Sequence, residues 1–156
     1  MTGKTMGWVV TAVAGMTVAA TPANAQSEPI SGTELAVQLE AEAARLQQTS
    51  DGWADAASLY VAAAGHRQHE DPRARQNLFT AANLYHQVGD MSAAMSALES
   101  AGTRALASGD SVLAVQMFAN AALVAEEAGM RNDERRLRSR AADLAYAAQS
   151  RAPTRG

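Results

Sequence analysis

The chain contains no cysteine. This absence excludes disulfide bonds, thiolate nucleophiles and cysteine metal sites, so we expect packing to stabilise the fold. It says nothing about the compartment, because an oxidising compartment permits disulfides without requiring them. Lysine is almost absent as well, because Lys4 is the only lysine. Apart from the histidines, all other basic residues are arginines.

Proline is also scarce, and after residue 25 it occurs only at positions 29, 72 and 153. β-Branched residues are few in that part of the chain, and no stretch alternates apolar and polar residues with the period of a strand. Alanine, leucine, methionine, glutamine, glutamate and arginine recur there, and these residues lose little side-chain freedom in a helix. The sequence therefore predicts an all-α fold.

Common catalytic motifs are missing too. The chain has no His-Glu-x-x-His, no Gly-x-Ser-x-Gly and no glycine-rich phosphate loop. The paired carboxylates Glu126-Glu127 and Asp133-Glu134 lie at predicted helix ends, and adjacent residues of a helix do not face each other. We therefore expect no enzyme activity and no cofactor.

The first 25 residues have the order of regions found in a signal peptide. Lys4 supplies a positive charge, residues 7–20 are uncharged and mostly apolar, and Ala23-Asn24-Ala25 has the small-x-small form of a cleavage site. The apolar stretch is shorter than the roughly 20 residues that cross a bilayer core, and an uncleaved N-terminal anchor is the alternative. We expect a periplasmic or secreted protein with no membrane span after removal of the signal peptide.

The rest of the chain is long enough for one domain with its own core. The predicted divisions are a signal peptide at 1–25, a short leader at 26–30, a helical repeat domain at 31–149 and a disordered tail at 150–156.

Charge is distributed unevenly along the chain. Residues 26–130 contain 13 acidic residues and five arginines, whereas residues 131–156 contain seven arginines and three acidic residues. The basic end predicts a docking face for an acidic partner, formed by Arg135, Arg136 and Arg138. The alternative is a solvated face that pairs with the acidic body of the chain. Because the formal net charge is −3, we expect no nucleic-acid partner.

Local signals predict six helices separated by short turns. Ser31 and Glu34 form a capping box at the start of the first helix. Asp71-Pro72 begins the third helix, with the aspartate as N-cap and the proline as first residue. Gly89-Asp90 and Gly109-Asp110 each combine a left-handed helix end with the cap of the next helix. Short turns between helices of similar length predict an antiparallel order.

The predicted fifth helix, from Ser111 to about Ala128, is apolar over much of its surface. Such a helix contacts neighbours on more than one side, so we expect it to lie centrally in the stack. Its apolar residues are Val112, Leu113, Val115, Met117, Phe118, Leu123 and Val124.

Small and large residues recur at fixed spacings in several helices. The clearest segment is Ala82-x-x-Tyr85-x-x-x-Gly89-Asp90-x-x-x-Ala94-x-x-x-Leu98-x-x-Ala101. This pattern resembles the tetratricopeptide repeat, and the resemblance covers about residues 33–149. It implies that six antiparallel helices form a short α-solenoid of stacked helix pairs. The helices are longer than those of a family repeat, and the closing proline is missing, so an up-and-down helical bundle is the alternative.

The resemblance also implies a binding surface. In the tetratricopeptide family, the first helix of each pair lines a groove that binds peptides. With Tyr85 as the anchor, the groove-facing residues of the third helix are Gln76, Phe79, Asn83, His86 and Gln87. Side-chain amides with one exposed aromatic suit an extended peptide. The alternative is that these residues form an ordinary solvated face.

One cluster has the residue types of a metal site. His66, His69 and Glu70 lie close together in the sequence, and His86 follows one helix later. Two histidines at i and i+3 share a face if the helix continues through them. The alternative is a polar helix end, because Asp71-Pro72 follows at once and histidine suits the C-terminal end of the helix dipole.

These observations predict an exported, non-catalytic scaffold of the cell envelope that binds a protein or peptide. A small-ligand or metal-binding helical bundle is the alternative, and a structural accessory that docks through its arginine-rich sixth helix is a third possibility.

Overall fold

The computed structural model describes residues 30–151, which form six α-helices and one short 3-10 turn. No strand occurs in this range, so the predicted all-α fold with six helices is confirmed. The predicted signal peptide, residues 26–29 of the leader and residues 152–156 of the tail lie outside the described range. In chain order the elements are α1 (Gly32–Leu46), the 3-10 turn (Ser50–Gly52), α2 (Trp53–Gly65), α3 (Pro72–Gln87), α4 (Met91–Ala107), α5 (Ser111–Glu127) and α6 (Arg131–Arg151).

The caps predicted from the sequence begin α1 and α3. The Ser31 hydroxyl accepts a hydrogen bond from the Glu34 amide at 3.2 Å, and the Glu34 carboxylate accepts one from the Ser31 amide at 2.9 Å. Asp71 accepts a hydrogen bond from the Arg73 amide at 2.8 Å. Each cap satisfies amide groups that the first turn of a helix leaves without a partner.

The turns that join α3 to α4, α4 to α5 and α5 to α6 share one conformation. Gly89, Gly109 and Gly129 have φ angles of 82°, 78° and 71°, the left-handed region that a side chain disfavours. In the first two turns Asp90 and Asp110 then cap the next helix, each accepting an amide hydrogen bond at 3.0 Å. The predicted Gly-Asp turns are therefore present.

The end of α6 differs from the sequence prediction. The helix continues through Arg151, whereas the folded domain was predicted to end at residue 149. No residue before Pro153 disfavours a helix, so residues 150 and 151 remain helical rather than belonging to the predicted tail.

The helices form two layers. The main packing contacts all join consecutive helices, and short turns make these neighbours antiparallel. Asn77 of α3 donates to Glu40 of α1, and His86 of α3 bonds to Glu127 of α5, so α1, α3 and α5 lie in one layer. Arg136 of α6 donates to a carboxylate of α4, and Arg104 of α4 donates to a carbonyl of α2, so the even-numbered helices lie in the other layer. Extensive packing of α1 on α6, which a closed bundle requires, is absent from residues 30–151.

The core is built mainly from alanine, with few large side chains. Phe118 of α5 and Leu137 of α6 are the largest fully buried ones in the described range. A second, smaller cluster joins α1 to α2 and α3. The fully buried side chains of α1 are only Ala36 and Ala43, and its leucines are half-buried, so this helix contributes less hydrophobic stabilisation than one with fully buried large side chains.

The prediction for α5 is right about its packing and wrong about two of its residues. The helix packs on both α4 and α6 and therefore lies inside the stack, as expected. Val112 and Leu123, however, are 69% and 58% exposed, although both belong to the apolar set from which two-sided packing was predicted.

Candidate binding groove

Three clefts open on the layer of odd-numbered helices. One lies between α1 and α3 with a volume of about 500 Å³, and two lie between α3 and α5 with volumes of about 380 and 290 Å³. Gln76 lines the cleft between α1 and α3 and also the larger of the two clefts between α3 and α5. Phe79 lines both clefts between α3 and α5. Because they share these residues, the clefts form one continuous surface.

We call the two clefts between α3 and α5 the α3/α5 groove. Helices α3 and α5 are parallel, so the groove runs along their axes from the first turns to the last. It is lined by Pro72, Arg75, Gln76, Phe79, Ala82, Asn83, His86, Leu98, Leu113, Met117, Asn120, Leu123, Val124 and Glu127.

Four of the five predicted groove residues line it. Gln76, Phe79, Asn83 and His86 recur at intervals of three and four residues, which places them on one face of α3. The fifth, Gln87, is exposed at the end of α3 but does not line the groove. It lies next to His86, so it points about 100° away around the helix.

The middle of the groove is apolar. Phe79 of α3 and Leu123 of α5, which are 40% and 58% exposed, line the same cleft as the buried Leu98 of α4. The chain has only 4% aromatic residues, and one of them is exposed in a concave site. Apolar side chains in such a site are removed from solvent only when a ligand binds, so their exposure indicates a binding site.

The groove also carries side-chain amides. Gln76 and Asn83 of α3 and Asn120 of α5 line it, and within residues 30–151 none of them hydrogen-bonds to another protein group. An amide has both donors and an acceptor, and an extended peptide backbone offers the complementary groups.

The α5 side of the groove was missed by the sequence analysis, which considered only α3. A signal was present in the sequence. When α3 and α5 are aligned on Gly89 and Gly129, the glycines that follow their ends, Asn83 aligns with Leu123 and Gln87 aligns with Glu127. Asn120 is in register with Thr80 and could not be found in this way.

A side-chain bridge joins the two walls where both helices end. His86 Nε2 lies 2.8 Å from Glu127 Oε2, and the two side chains are 42% and 55% exposed. The bridge connects α3 to α5 at this end of the groove.

Arg67 forms a buried polar network beside the cleft between α1 and α3. It is only 6% exposed, and its guanidinium donates to Glu40 at 2.6 and 2.8 Å and to Asp71 at 2.9 Å. Asn77 donates to the same Glu40 carboxylate at 2.5 Å. The network ties α1 to α3 and to the turn after α2, where apolar burial is slight.

The network changes the acidity of its carboxylates. Hydrogen bonding from Arg67 lowers the pKa of Glu40, and this outweighs the opposing effect of burial. Burial alone raises the pKa of Asp71, but hydrogen bonds from the Arg73 amide and from Arg67 together lower it. The hydrogen bonds that Arg67 donates to Glu40 raise the pKa of Arg67, so all three groups stay charged at neutral pH.

The candidate metal ligands do not converge. Helix α2 ends at Gly65, so His66 and His69 follow the helix and do not share a helical face, contrary to the sequence pattern. Both are exposed, as is Glu70. No group of three or more metal-type ligands occurs within residues 30–151. Of residues 66–70 only Arg67 is buried, and the sequence analysis did not single it out.

The arginines of the predicted docking face are engaged within the chain. Arg136 donates to both oxygens of Glu99 at 2.6 and 3.0 Å, and Arg138 donates to Glu126 at 2.6 Å. Arg135 bonds to Asn132 at 2.8 Å on its own helix. This arrangement matches the alternative interpretation, in which the basic helix pairs with the acidic body.

Helices long and apolar enough to cross a bilayer are absent from the described part of the chain. No family model, curated protein or solved structure matches the chain.

Proposed function

We propose that this chain is an exported, non-catalytic scaffold of the cell envelope that binds a protein or peptide in the α3/α5 groove. The observation that carries the proposal is the joint placement of exposed Phe79 and Leu123 with the unpaired amides of Gln76, Asn83 and Asn120. Apolar side chains supply affinity on burial, and amides fix the path of a peptide backbone.

A tetratricopeptide-like repeat is part of this proposal. It is supported by the two helix layers, by the Gly-Asp turns at 89/90 and 109/110, and by small residues where α4 and α5 approach each other. In such a stack each helix pair completes its core only against its neighbours, and the first helices of the pairs line a shared surface.

Selection from a displayed library of random linear peptides tests the binding function. We expect peptides that bind the wild-type exported chain and lose at least tenfold in affinity with Phe79→Asp, because a charge replaces the exposed ring at the centre of the groove. Val112→Asp is the matched control, since Val112 is an exposed apolar residue of α5 outside the groove. Failure to enrich any peptide, or equal binding to both variants, contradicts the proposal.

Export has its own test. Fractionation should recover the protein outside the cytoplasm, and N-terminal sequencing of that fraction should begin at Gln26, after Ala23-Asn24-Ala25. Recovery in the cytoplasm with residues 1–25 intact contradicts this part of the proposal.

A further inference from the structure

The α3/α5 groove carries opposite charges at its two ends. Arg75 lines the end where both helices begin, and Glu127 lines the end where both helices finish. Phe79 and Leu123 lie between them. The groove therefore has an electrostatic direction in addition to its apolar centre.

The charge of Arg75 is not neutralised by an ion pair. Its Nη1 donates to the Ser108 hydroxyl at 2.8 Å, and no carboxylate within residues 30–151 lies at ion-pair distance from it. The nearby acids Asp71 and Asp110 act as helix caps, and Asp71 is also held by Arg67. A ligand carboxylate can therefore approach Arg75 without displacing a carboxylate of the protein.

At the other end, Glu127 keeps part of its acceptor capacity. Its Oε2 bonds to His86, and its Oε1 has no hydrogen-bond partner within the described residues. The last carbonyls of α3 and α5 lie at the same end and carry partial negative charge. Glu126, the neighbouring acid, is engaged by Arg138. A cationic ligand group is favoured here.

The separation of the charges defines the spacing in a ligand. His86 bonds to Glu127 and therefore marks the position of the negative charge along α3. Arg75 and His86 are eleven positions apart on this helix, which corresponds to about 16 Å along its axis. An extended peptide advances about 3.3 Å per residue, so about five residues span this distance. An extended backbone also offers the free amide and carbonyl groups that Gln76, Asn83 and Asn120 can bind, whereas a helix uses those groups internally.

We infer that the α3/α5 groove takes an extended peptide segment in which an acidic residue and a basic residue, about five positions apart, flank an apolar side chain. The acidic residue lies at Arg75, the apolar side chain packs on Phe79 and Leu123, and the basic residue lies at Glu127. This inference rests on the proposed function and specifies its ligand.

Peptide selection on charge-reversed variants tests the inference. The probe is a phage-displayed library of random 12-residue linear peptides, selected in parallel on the wild-type exported chain and on Arg75→Glu and Glu127→Arg. We expect wild type to enrich peptides with one acidic and one basic residue around an apolar residue. Arg75→Glu should enrich peptides that are basic at both ends, and Glu127→Arg peptides that are acidic at both ends.

Affinities supply a second readout. A wild-type-selected peptide should bind two- to fivefold more weakly to Arg75→Met, which removes the charge without reversing it, because a partly exposed ion pair contributes modestly. The difference in affinity between wild type and Arg75→Met should become smaller at high salt. Circular dichroism on every variant identifies any that fails to fold, and Arg75→Met then takes the place of Arg75→Glu in the selection.

The outcomes separate the inference from the proposed function. Peptides that depend on Phe79 but show the same charge pattern on all variants overturn the inference and leave the groove as a binding site. Absence of Phe79-dependent peptides overturns both.

Discussion

Phe118 packs directly against the backbone of Gly102. A β-carbon placed on Gly102 would lie 3.1 Å from the ring carbon Cζ, closer than an ordinary van der Waals contact. The ring is fully buried, and the guanidinium carbon of Arg140 lies 4.1 Å from its centroid. Glycine in the middle of α4 thus lets α4 and α5 approach closely around the fully buried Phe118 ring, at the cost of helix propensity.

This contact predicts the effect of Gly102→Ala. The substitution gains roughly 1 kcal/mol of helix propensity, but the buried ring cannot move without strain, and overpacking costs about 1–3 kcal/mol. We expect the free energy of unfolding, measured by urea denaturation, to fall by about 1 kcal/mol.

Gly65→Ala is the matched control. Gly65 is the last residue of α2, and nothing lies within 4 Å of the position of its added β-carbon. The free energy of unfolding should rise by up to about 1 kcal/mol. An increase in both variants would show that the Phe118 ring accommodates the methyl group.

The buried network predicts a large effect of Arg67→Met. The substitution leaves Glu40 and Asp71 without their guanidinium partner in a partly buried site, and breaking such a pair from one side costs about 3 kcal/mol. Urea denaturation measures the loss. Arg45→Met serves as control, because the exposed Arg45–Glu42 pair should contribute far less. Similar losses in both variants contradict the assigned role of Arg67.

The same network predicts an acid-sensitive stability. Glu40 and Asp71 have pKa values below their ordinary values in the folded protein, so the folded state binds fewer protons there than the unfolded state. Their contribution is fully present above the ordinary carboxyl pKa of about 4 and is lost as the pH falls through the folded values.

Glu40→Gln isolates the contribution of Glu40 to this dependence. We expect the variant to be less stable than wild type at pH 7 and the difference to narrow as the pH falls towards 3. Urea denaturation of wild type and of Glu40→Gln at several pH values measures this difference in the free energy of unfolding. A difference that stays constant with pH would show that the charge of Glu40 is not responsible.

The basic helix predicts an intramolecular effect of Arg136→Glu. The substitution replaces the bidentate contact with Glu99 by repulsion, and we expect a loss of about 1 kcal/mol in the free energy of unfolding. Arg135→Glu should change it less, because the hydrogen bonds of Arg135 are to Arg131 and Asn132 on its own helix. If both variants keep full stability but lose capture of an acidic protein in a pull-down, the docking-face interpretation regains support.

Metal addition tests the alternative function. Because His66, His69 and Glu70 are exposed and do not converge, we expect Zn²⁺ or Cu²⁺ to leave the melting temperature unchanged. A rise of several degrees that disappears in the His66→Ala/His69→Ala double variant would favour the metal-binding bundle.

Much of the helical architecture was accessible from the sequence, because its signals are local. The Ser31–Glu34 capping box, the Asp71-Pro72 start and the left-handed Gly89 each depend on backbone groups within a few residues. These interactions form wherever the helix forms, so reading them requires no knowledge of the neighbouring helices.

The groove was predicted only on one side. The resemblance to the tetratricopeptide repeat assigned Gln76, Phe79 and Asn83 to the groove face of α3, and their helical spacing agrees with it, but neither identified the residues opposite that face. Leu123 was therefore taken as a packing residue, although it lines the groove and is largely exposed.

The sequence by itself determined the helices, their caps and the turns, since these depend on propensity and on hydrogen bonds between near neighbours. Only the tertiary structure decided that Arg67 is buried while the histidines beside it are exposed. It also decided that α3 and α5 lie side by side, with Arg75 at one end of their groove and Glu127 at the other. The burial and pairing of a side chain depend on residues that are distant in the chain, and helix packing alone brings those residues together.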